Sequence, residues 1–519
     1  MSKEIHIPIE VNKILRVLRK ANFEAYLVGG CVRDILLGRE PKDWDITTNA
    51  KPDEVQKLFP DSVYENQFGT VGVKIPTLEE VRTPTAASEL KAKIVEITTF
   101  RKEGKYTDKR HPDSISFAKT VEEDLSRRDF TINSLALGWS SDTKDFIVDG
   151  LSTENETKID LKNLQLVDPY GGQGDLKAKL IKTVGKPEER FTEDALRMMR
   201  AIRFASELGF KIDGETGAAI LHHSGLLEAI AKERIRDEFQ KIILSSRAKD
   251  GVQILEDYGL LRHIMPELRE GIDVGQNKHH IYSVWEHNLR ALDYAVSKNY
   301  PLHIRLASLL HDVGKPKSKR GNGPDSTFYG HDIIGGKMAV KIMDRLHFNK
   351  DLIEQVAHLV RYHLFYYNVG EVTPSGVRRF IARVGPENID DLIKVREADR
   401  IGSGVPKAVP YKLRHLLFMI EKVKRDPISP KMLLVKGDDL MRLLDIPPGP
   451  KIGAILSILL EEVIEDPLRN TIENLELRIK ILNKLSDKEL HQLAKKAKST
   501  KDEFEAGEEQ KMKQKHYVK

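Results

Sequence analysis

LVGGCVRDILLGREPKDWDITT, residues 27–48, is the stretch whose reading sets the fold. EAYLVG (24–29) has the apolar run of a strand, Gly29-Gly30 interrupts it, and CVRDILLG reads as a short helix. Glycine at a strand-to-helix junction lets backbone approach a phosphate closely, and a helix N-terminus offers free N–H groups. Arg33, in the first turn, is placed to reach the same phosphates. Asp43 and Asp45 follow. On a strand, residues i and i+2 share a face, so the two carboxylates are expected side by side, where a cation relieves their repulsion. Mg²⁺ suits such a pair because it binds through one or two carboxylates plus substrate phosphates. Glu96, in IVEIT on a later strand, is a candidate third acid.

Composition bounds the rest. A chain of 519 residues implies about three to five domains. With 40% hydrophobic and 31% charged residues it has a globular composition, which excludes disorder as its overall state. No apolar run approaches the ~18 residues of a membrane span. The N-terminus MSKEIHIPIE lacks an apolar signal core, so a cytoplasmic protein with no membrane partner is expected. The single cysteine, Cys31, excludes an internal disulfide and any multi-cysteine zinc site within one chain. A net charge of +5 permits an anionic partner such as RNA without requiring one.

Working outward, VNKILRVLRKAN (11–22) reads as an amphipathic helix. Residues 44–48, 71–75, 93–99, 131–138 and 145–149 read as strands. After Asp168 the pattern becomes nearly continuous helix, over about 192–208, 228–245, 284–298, 302–311, 352–363, 388–400, 411–423 and 473–495.

The order strand, Gly-Gly, helix, short gap, D-x-D is the pattern of polymerase-β-type nucleotidyltransferases. More narrowly, the stretch resembles the signature of the class II tRNA nucleotidyltransferases, which comprise CCA-adding enzymes and bacterial poly(A) polymerases. Four further motifs of that family follow in order: EDLSRRDFTINSLAL (123–137), VDPYGGQGDL (167–176), RFTEDALRMMRAIRFASELGF (190–210) and KERIRDEFQKIIL (232–244). The resemblance implies CTP and ATP as substrates and tRNA as partner. It implies Mg²⁺ held by Asp43 and Asp45, with Gly29, Gly30 and Arg33 facing the triphosphate. Arg128 would contact the nucleotide, and Asp129 and Asn133 the ribose. Asp194, Arg197, Arg200 and Arg203 recur every third residue, a spacing that shares a helix face. By the resemblance, Asp194 and Arg197 hydrogen-bond the edge of C or A in place of a nucleic-acid template, and Arg200 and Arg203 reach phosphates. TTFRKEGKYTDKRHPDS (98–114) resembles the loop that full CCA enzymes use for adding A. Residues 78–92 look like an insertion without an evident role. The alternatives are an A-adding or CC-adding member of a split pair, a poly(A) polymerase, or a phosphohydrolase whose head only binds nucleotide.

A second constellation lies downstream. SLLHDVGKP (308–316) is an apolar helix ending in His-Asp, and with His287 and Asp399 it gives the order H…HD…D. It resembles the HD superfamily of metal-dependent phosphohydrolases. That resemblance implies a divalent metal on His287, His311, Asp312 and Asp399, with His331 and His363 available for a second site. Further on, PPGPKIG (447–453) has helix–turn–helix character suited to an RNA phosphate. The expected architecture is an α/β polymerase-β-like nucleotidyltransferase head (1–150) followed by an all-α neck and body (151–270). An HD domain (271–425), a helical tRNA-binding tail (426–495) and a charged, disordered end (496–519) complete it.

Overall fold

The computed structural model describes residues 4–66, 69–75, 93–104, 114–139, 156–160, 163–276, 281–370, 372–423 and 432–495. The segments 78–92, 145–149 and 496–519, and the centre of the 98–114 loop, lie outside these. The chain forms two compact units, Met1–Arg269 with Arg345–Phe348, and Glu270–Asp344 with Asn349–Lys519.

The first unit is an α/β head followed by helices. Its seven-stranded sheet runs in the spatial order Leu164–Val167, Ala136–Trp139, Ala25–Val28, Asp45–Thr48, Lys93–Thr99, Thr70–Ile75, Ser62–Asn66. Among the described residues, the central pair of this sheet, Asp45–Thr48 with Lys93–Thr99, is parallel and its other neighbours are antiparallel. Asp45 is opposite Glu96 in that register, so the two acids sit on neighbouring strands. Ile46 and Ile97 are fully buried in the middle of the sheet, as expected for the inner strands of a covered sheet. Val28, Phe100, Val121, Leu125 and Ala136 pack as one cluster. They fix the end of the Gly-Gly strand against the helix Val121–Ser126.

The stretch read as a strand over 131–138 divides. Thr131–Asn133 is a 3₁₀ turn and Ala136–Trp139 a strand. Gly172 explains the turn's position, because a Cβ there would lie 2.2 Å from the Thr131 carbonyl oxygen. VDPYGGQGDL therefore braces the second motif from behind.

The second unit is helical. Val284–Ser297, Leu302–Leu310, His331–Arg345, Lys350–Tyr362 and Ile389–Gly402 carry the histidines and aspartates. The segment after residue 432 has its own core of Leu440, Ile455, Leu459, Leu475, Ile479 and Leu482. Arg378 donates to the Ile464 and Glu465 carbonyls at the end of the helix Pro450–Glu465. The helix expected over 473–495 is broken after Asn483. Ser486 and Glu489 form a reciprocal cap, with Ser486 N–H on Glu489 and Glu489 N–H on Ser486 Oγ, and this starts a new helix. Among the described residues no helix is long and apolar enough to cross a membrane.

Candidate active site and histidine–aspartate cluster

In the head, Gly29 has φ +80°, a conformation that favours glycine. A Cβ on it would meet Arg128 Nη1 at 2.9 Å and Asp45 Oδ2 at 3.8 Å. Gly29, Arg128 and Asp45 thus converge on one spot at the end of the sheet. Burial pushes the Asp45 carboxyl upward, Arg128 pulls it back down, and the Asp43 charge adds to the rise; the net direction is up. A carboxylate in that state gains from a nearby cation. Asp43 is exposed and lies in the bend before the strand, which starts at Asp45. This corrects the expectation that both acids occupy one strand face. Asp43, Asp45 and Glu96 do not form a closed ligand shell among the described residues, unlike the histidine–aspartate sets below.

Arg128 is held from below by Asp124, which is fully buried. The same carboxylate accepts from Arg127 at 2.9 Å and from the Arg101 backbone N–H. Arg127 also reaches Glu103. Sequence reading did not single out Asp124. Its signal is its place four residues before Arg128 on one helical turn.

The third cluster gathers residues from three motifs around the buried ring of Phe204. The guanidiniums of Arg33, Arg200 and Arg203 lie 5.4, 5.5 and 4.1 Å from its centroid. Arg33 Nη1 donates to Asn133 Oδ1 at 2.9 Å. Arg200 Nε donates to Asp129 Oδ2 at 2.6 Å. Burial alone would raise the Asp129 carboxyl, but Arg200, Arg197 and the Phe130 N–H hold it below its usual range. Arg203 pairs with Glu238 at 2.6 Å and Glu207 at 3.0 Å. The ribose role expected for Asp129 and Asn133, and the phosphate role expected for Arg200 and Arg203, therefore meet a different arrangement. Asn133 engages Arg33, Asp129 engages Arg200, and Arg203 engages Glu238 and Glu207.

Asp194 departs from the expected helix face. The helix Pro187–Glu193 ends at it, with φ −143° and ψ 105°, and the next helix is Leu196–Leu208. Asp194 Oδ1 accepts the Leu196 N–H at 3.0 Å, and Oδ2 pairs with Arg234 at 2.7 Å. An aspartate that receives the free N–H of a starting helix is a standard way to satisfy it. Arg197 is buried and bonds Glu193 and the Arg190 carbonyl. Arg190 in turn donates to Ser126 O and Val184 O, tying this region to the second motif. Arg234 and Glu238 were not assigned roles from sequence. Their i, i+4 spacing on Lys232–Leu244 places them on one face, beside Asp194 and Arg203.

In the second unit the four expected ligands meet. His287 and His311 Nε2 are 2.8 Å apart. Asp312 Oδ2 lies 3.0 Å from the first and 3.4 Å from the second. Asp399 Oδ1 lies 3.3 and 3.6 Å from the same two nitrogens. His331 and His363 join through Asp312 Oδ1, at 3.3 and 3.6 Å, so Asp312 bridges both sets. The Nδ1 atoms of His311, His331 and His363 face the carbonyls of Ser308, Phe328 and Val360 at 2.7–2.8 Å. A carbonyl only accepts, so each Nδ1 carries the proton and Nε2 is the free donor atom. Each carbonyl lies three residues before its histidine, at the end of a helix or turn. Lys315 Nζ, 2.5 Å from Asp312, was not assigned from sequence either.

This donor set fits a metal. Imidazole nitrogens and carboxylates aimed at one point from within a dry core suit a divalent transition ion. Without one, a proton takes its place. Burial lowers His311, yet Asp312 and Asp399 overcome that and raise it to about 10. Both aspartates are held well below their usual range, against burial, by Lys315 and Arg396 and by the histidines.

Three family profiles match the chain: the poly(A) polymerase head domain over residues 25–182, the "probable RNA and SrmB-binding site of polymerase A" over 209–272, and the HD domain over 279–403. The CCA-adding enzyme of Geobacillus sp. (strain WCH70) is 31% identical over 463 residues, covering 89% of this chain and 94% of that protein. The CCA-adding enzyme of Lactococcus lactis subsp. lactis (strain IL1403) is 30% identical over the same length and shares. The crystal structure of the Bacillus stearothermophilus CCA-adding enzyme in complex with CTP matches with a TM-score of 0.62 at 25% identity, covering 91% of this chain and 96% of that one. The chain is a nucleotidyltransferase that belongs to the family of CCA-adding enzymes.

Proposed function

We propose that this chain adds C, C and A to tRNA 3′ ends, using CTP and ATP, at the site where Gly29, Asp45 and Arg128 converge. That convergence carries the reading, because it joins the first two motifs around a partly buried carboxylate. Asp43 and Asp45 would hold Mg²⁺, which when bound polarises the α-phosphate and activates the RNA 3′-hydroxyl. Gly29 leaves room for Arg128 beside Asp45, and Asp124 fixes Arg128 there. Arg33, held by Asn133 and the Phe204 ring, faces the triphosphate. Asp194, oriented by Arg234 and the Leu196 N–H, accepts from the exocyclic amine that C and A share, and Arg197 donates to the base.

The cluster of His287, His311, Asp312 and Asp399 would hold a divalent ion that supplies a bound water for phosphate-ester hydrolysis. His331 and His363 extend it, and Lys315 offsets the charge of Asp312.

The test uses three tRNA transcripts, ending before CCA, after C and after CC, each with Mg²⁺ and CTP, ATP or both. Completion to CCA from all three is expected. A single A added only to the CC-ended transcript, or CC added without A, makes the chain half of a split pair. Long A tails make it a poly(A) polymerase.

A further inference from the structure

The second unit exposes a cluster of aromatic rings that its own fold does not use. On the helix Tyr411–Val423, residues 411, 415 and 418 share one face. The His415 ring lies 6.1 Å from Tyr411, 6.1 Å from Phe418 and 5.9 Å from Tyr367. Tyr367 OH bonds His415 Nδ1 at 2.5 Å, which locks the cluster together. Yet Tyr411 is 63% exposed and Phe418 59%. Solvent-facing rings held in fixed positions mark a contact surface more often than a core.

The charges nearest the rings are basic, and the exposed Glu421 lies one turn beyond Phe418. Lys412 and Arg414 are exposed on the same helix, and no acid pairs with either among the described residues. Lys412 Nζ instead donates to Asn368 Oδ1, at 2.6 Å. Rings interleaved with unpaired cations are what a single-stranded nucleic acid needs: π-faces for its bases and positive charge for its backbone. A protein partner of opposite charge would not call for the locked rings, and a duplex would bury its own bases.

The rings are also joined to the histidine–aspartate cluster through the chain and through packed side chains. Tyr367 lies four residues beyond His363 in the chain. Between them Phe365 stacks on Phe380 at 5.0 Å and lies under Arg396 at 5.6 Å. Arg396 itself bonds Asp399 at 2.5 Å.

We propose that Tyr367, Tyr411, His415 and Phe418, flanked by Lys412 and Arg414, form a stacking platform for single-stranded RNA that leads toward the His287–His311–Asp312–Asp399 cluster. This rests on the hydrolase reading only for its destination.

The experiment is photocrosslinking of the full chain to a short single-stranded RNA carrying 4-thiouridine, followed by peptide mapping. Crosslinks on peptides holding residues 364–368 or 411–418 are expected, beside those on the head. Their yield should fall about tenfold or more in Tyr411→Ala/Phe418→Ala, since each stacked base contributes about 1–3 kcal/mol. Tyr411→Trp/Phe418→Trp should retain it. Both positions are largely exposed, and a thermal melt checks that the variants fold. Crosslinks confined to the head, or a yield unchanged by the alanine pair, overturn the proposal. So does a dimer in light scattering that the alanine pair dissociates, because the face would then belong to a second copy. Hydrolysis of bis(p-nitrophenyl) phosphate by the native chain with Mn²⁺ tests the cluster separately. Platform crosslinks without that hydrolysis leave the platform standing and remove the hydrolase.

Discussion

The head site and the histidine–aspartate cluster both bring carboxylates together, but they solve the electrostatic problem in opposite ways. In the head, Asp43 is exposed, Asp45 is partly covered, and Glu96 lies across a strand pair. The acids are neighbours without closing on one point, which suits an ion that arrives with substrate phosphates. In the second unit, His287, His311 and Asp312 are fully buried and their donor atoms already converge. On the proposed reading, such a site would keep its ion bound whether or not substrate is present. On that reading, the difference would separate a metal that is part of the substrate complex from one that is part of the fold.

The sharpest way to break this comparison is Asp45→Ala. Nucleotidyl transfer should fall by about 10³-fold or more, because the lost ligand is felt only when triphosphate and ion are bound. The melting temperature should barely move, and a large drop would mean that Asp45 is structural. A middle-sized effect is expected at the proposed base-selecting corner. Asp194→Ala or Arg197→Ala should blur discrimination among CTP, ATP, UTP and GTP by about 10–100-fold, as a bidentate base contact contributes about 1–3 kcal/mol. Triphosphate affinity should change less, and unaltered discrimination in single-turnover assays would remove the selecting role.

In the second unit the readout is stability. A divalent ion at about 100 times its Kd should add about 2.7 kcal/mol. At about 2–4 °C per kcal/mol, the transition of that unit should rise by about 5–10 °C. The His311→Ala variant should lose the rise, and calorimetric scans with and without the ion decide. The smallest effect is a proton count. Burial lowers the His311 imidazole, but Asp312 and Asp399 raise it to about 10. In the ion-free protein its protonated form therefore favours the fold below its unfolded pKa of about 6.5, and that contribution is lost as pH rises through about 10. Ion binding near neutral pH must expel this proton. Titrations in two buffers of different ionisation enthalpy should reveal release of about one proton, and zero release would show that His311 is already neutral.

Much of this was legible in the sequence, and the misses have definite causes. The Gly-Gly junction follows a local motif, and the meeting of His287, His311, Asp312 and Asp399 follows the resemblance to the HD superfamily, whereas the parallel pairing that sets Asp45 beside Glu96 is a tertiary contact that the motif did not give. Asp194 was misplaced onto a helix because its spacing to Arg197, Arg200 and Arg203 is helical. The chain breaks at Asp194 so that its side chain can receive the Leu196 N–H, a preference of aspartate that periodicity does not register. The partners Arg234 and Glu238 were invisible for another reason. Each acts across a tertiary contact, and a charged residue on a helix reads the same whether it meets water or a buried guanidinium. Phe204 looked like ordinary core, and only the three guanidiniums around its ring distinguish it.

The strand Glu4–Pro8 pairs antiparallel with Glu156–Asp160, Glu4 opposite Asp160. This strand is thus made well before the partner that completes it. At about 5–20 residues per second of synthesis, the nascent head waits on the order of 10–30 s for its partner. Through that interval the strand Glu4–Pro8 lacks its ladder, and an open strand edge invites foreign pairing. Ribosome pausing before residues 156–160 have emerged should therefore lengthen the head's exposure to chaperones and proteases, whereas pausing once they have emerged should not.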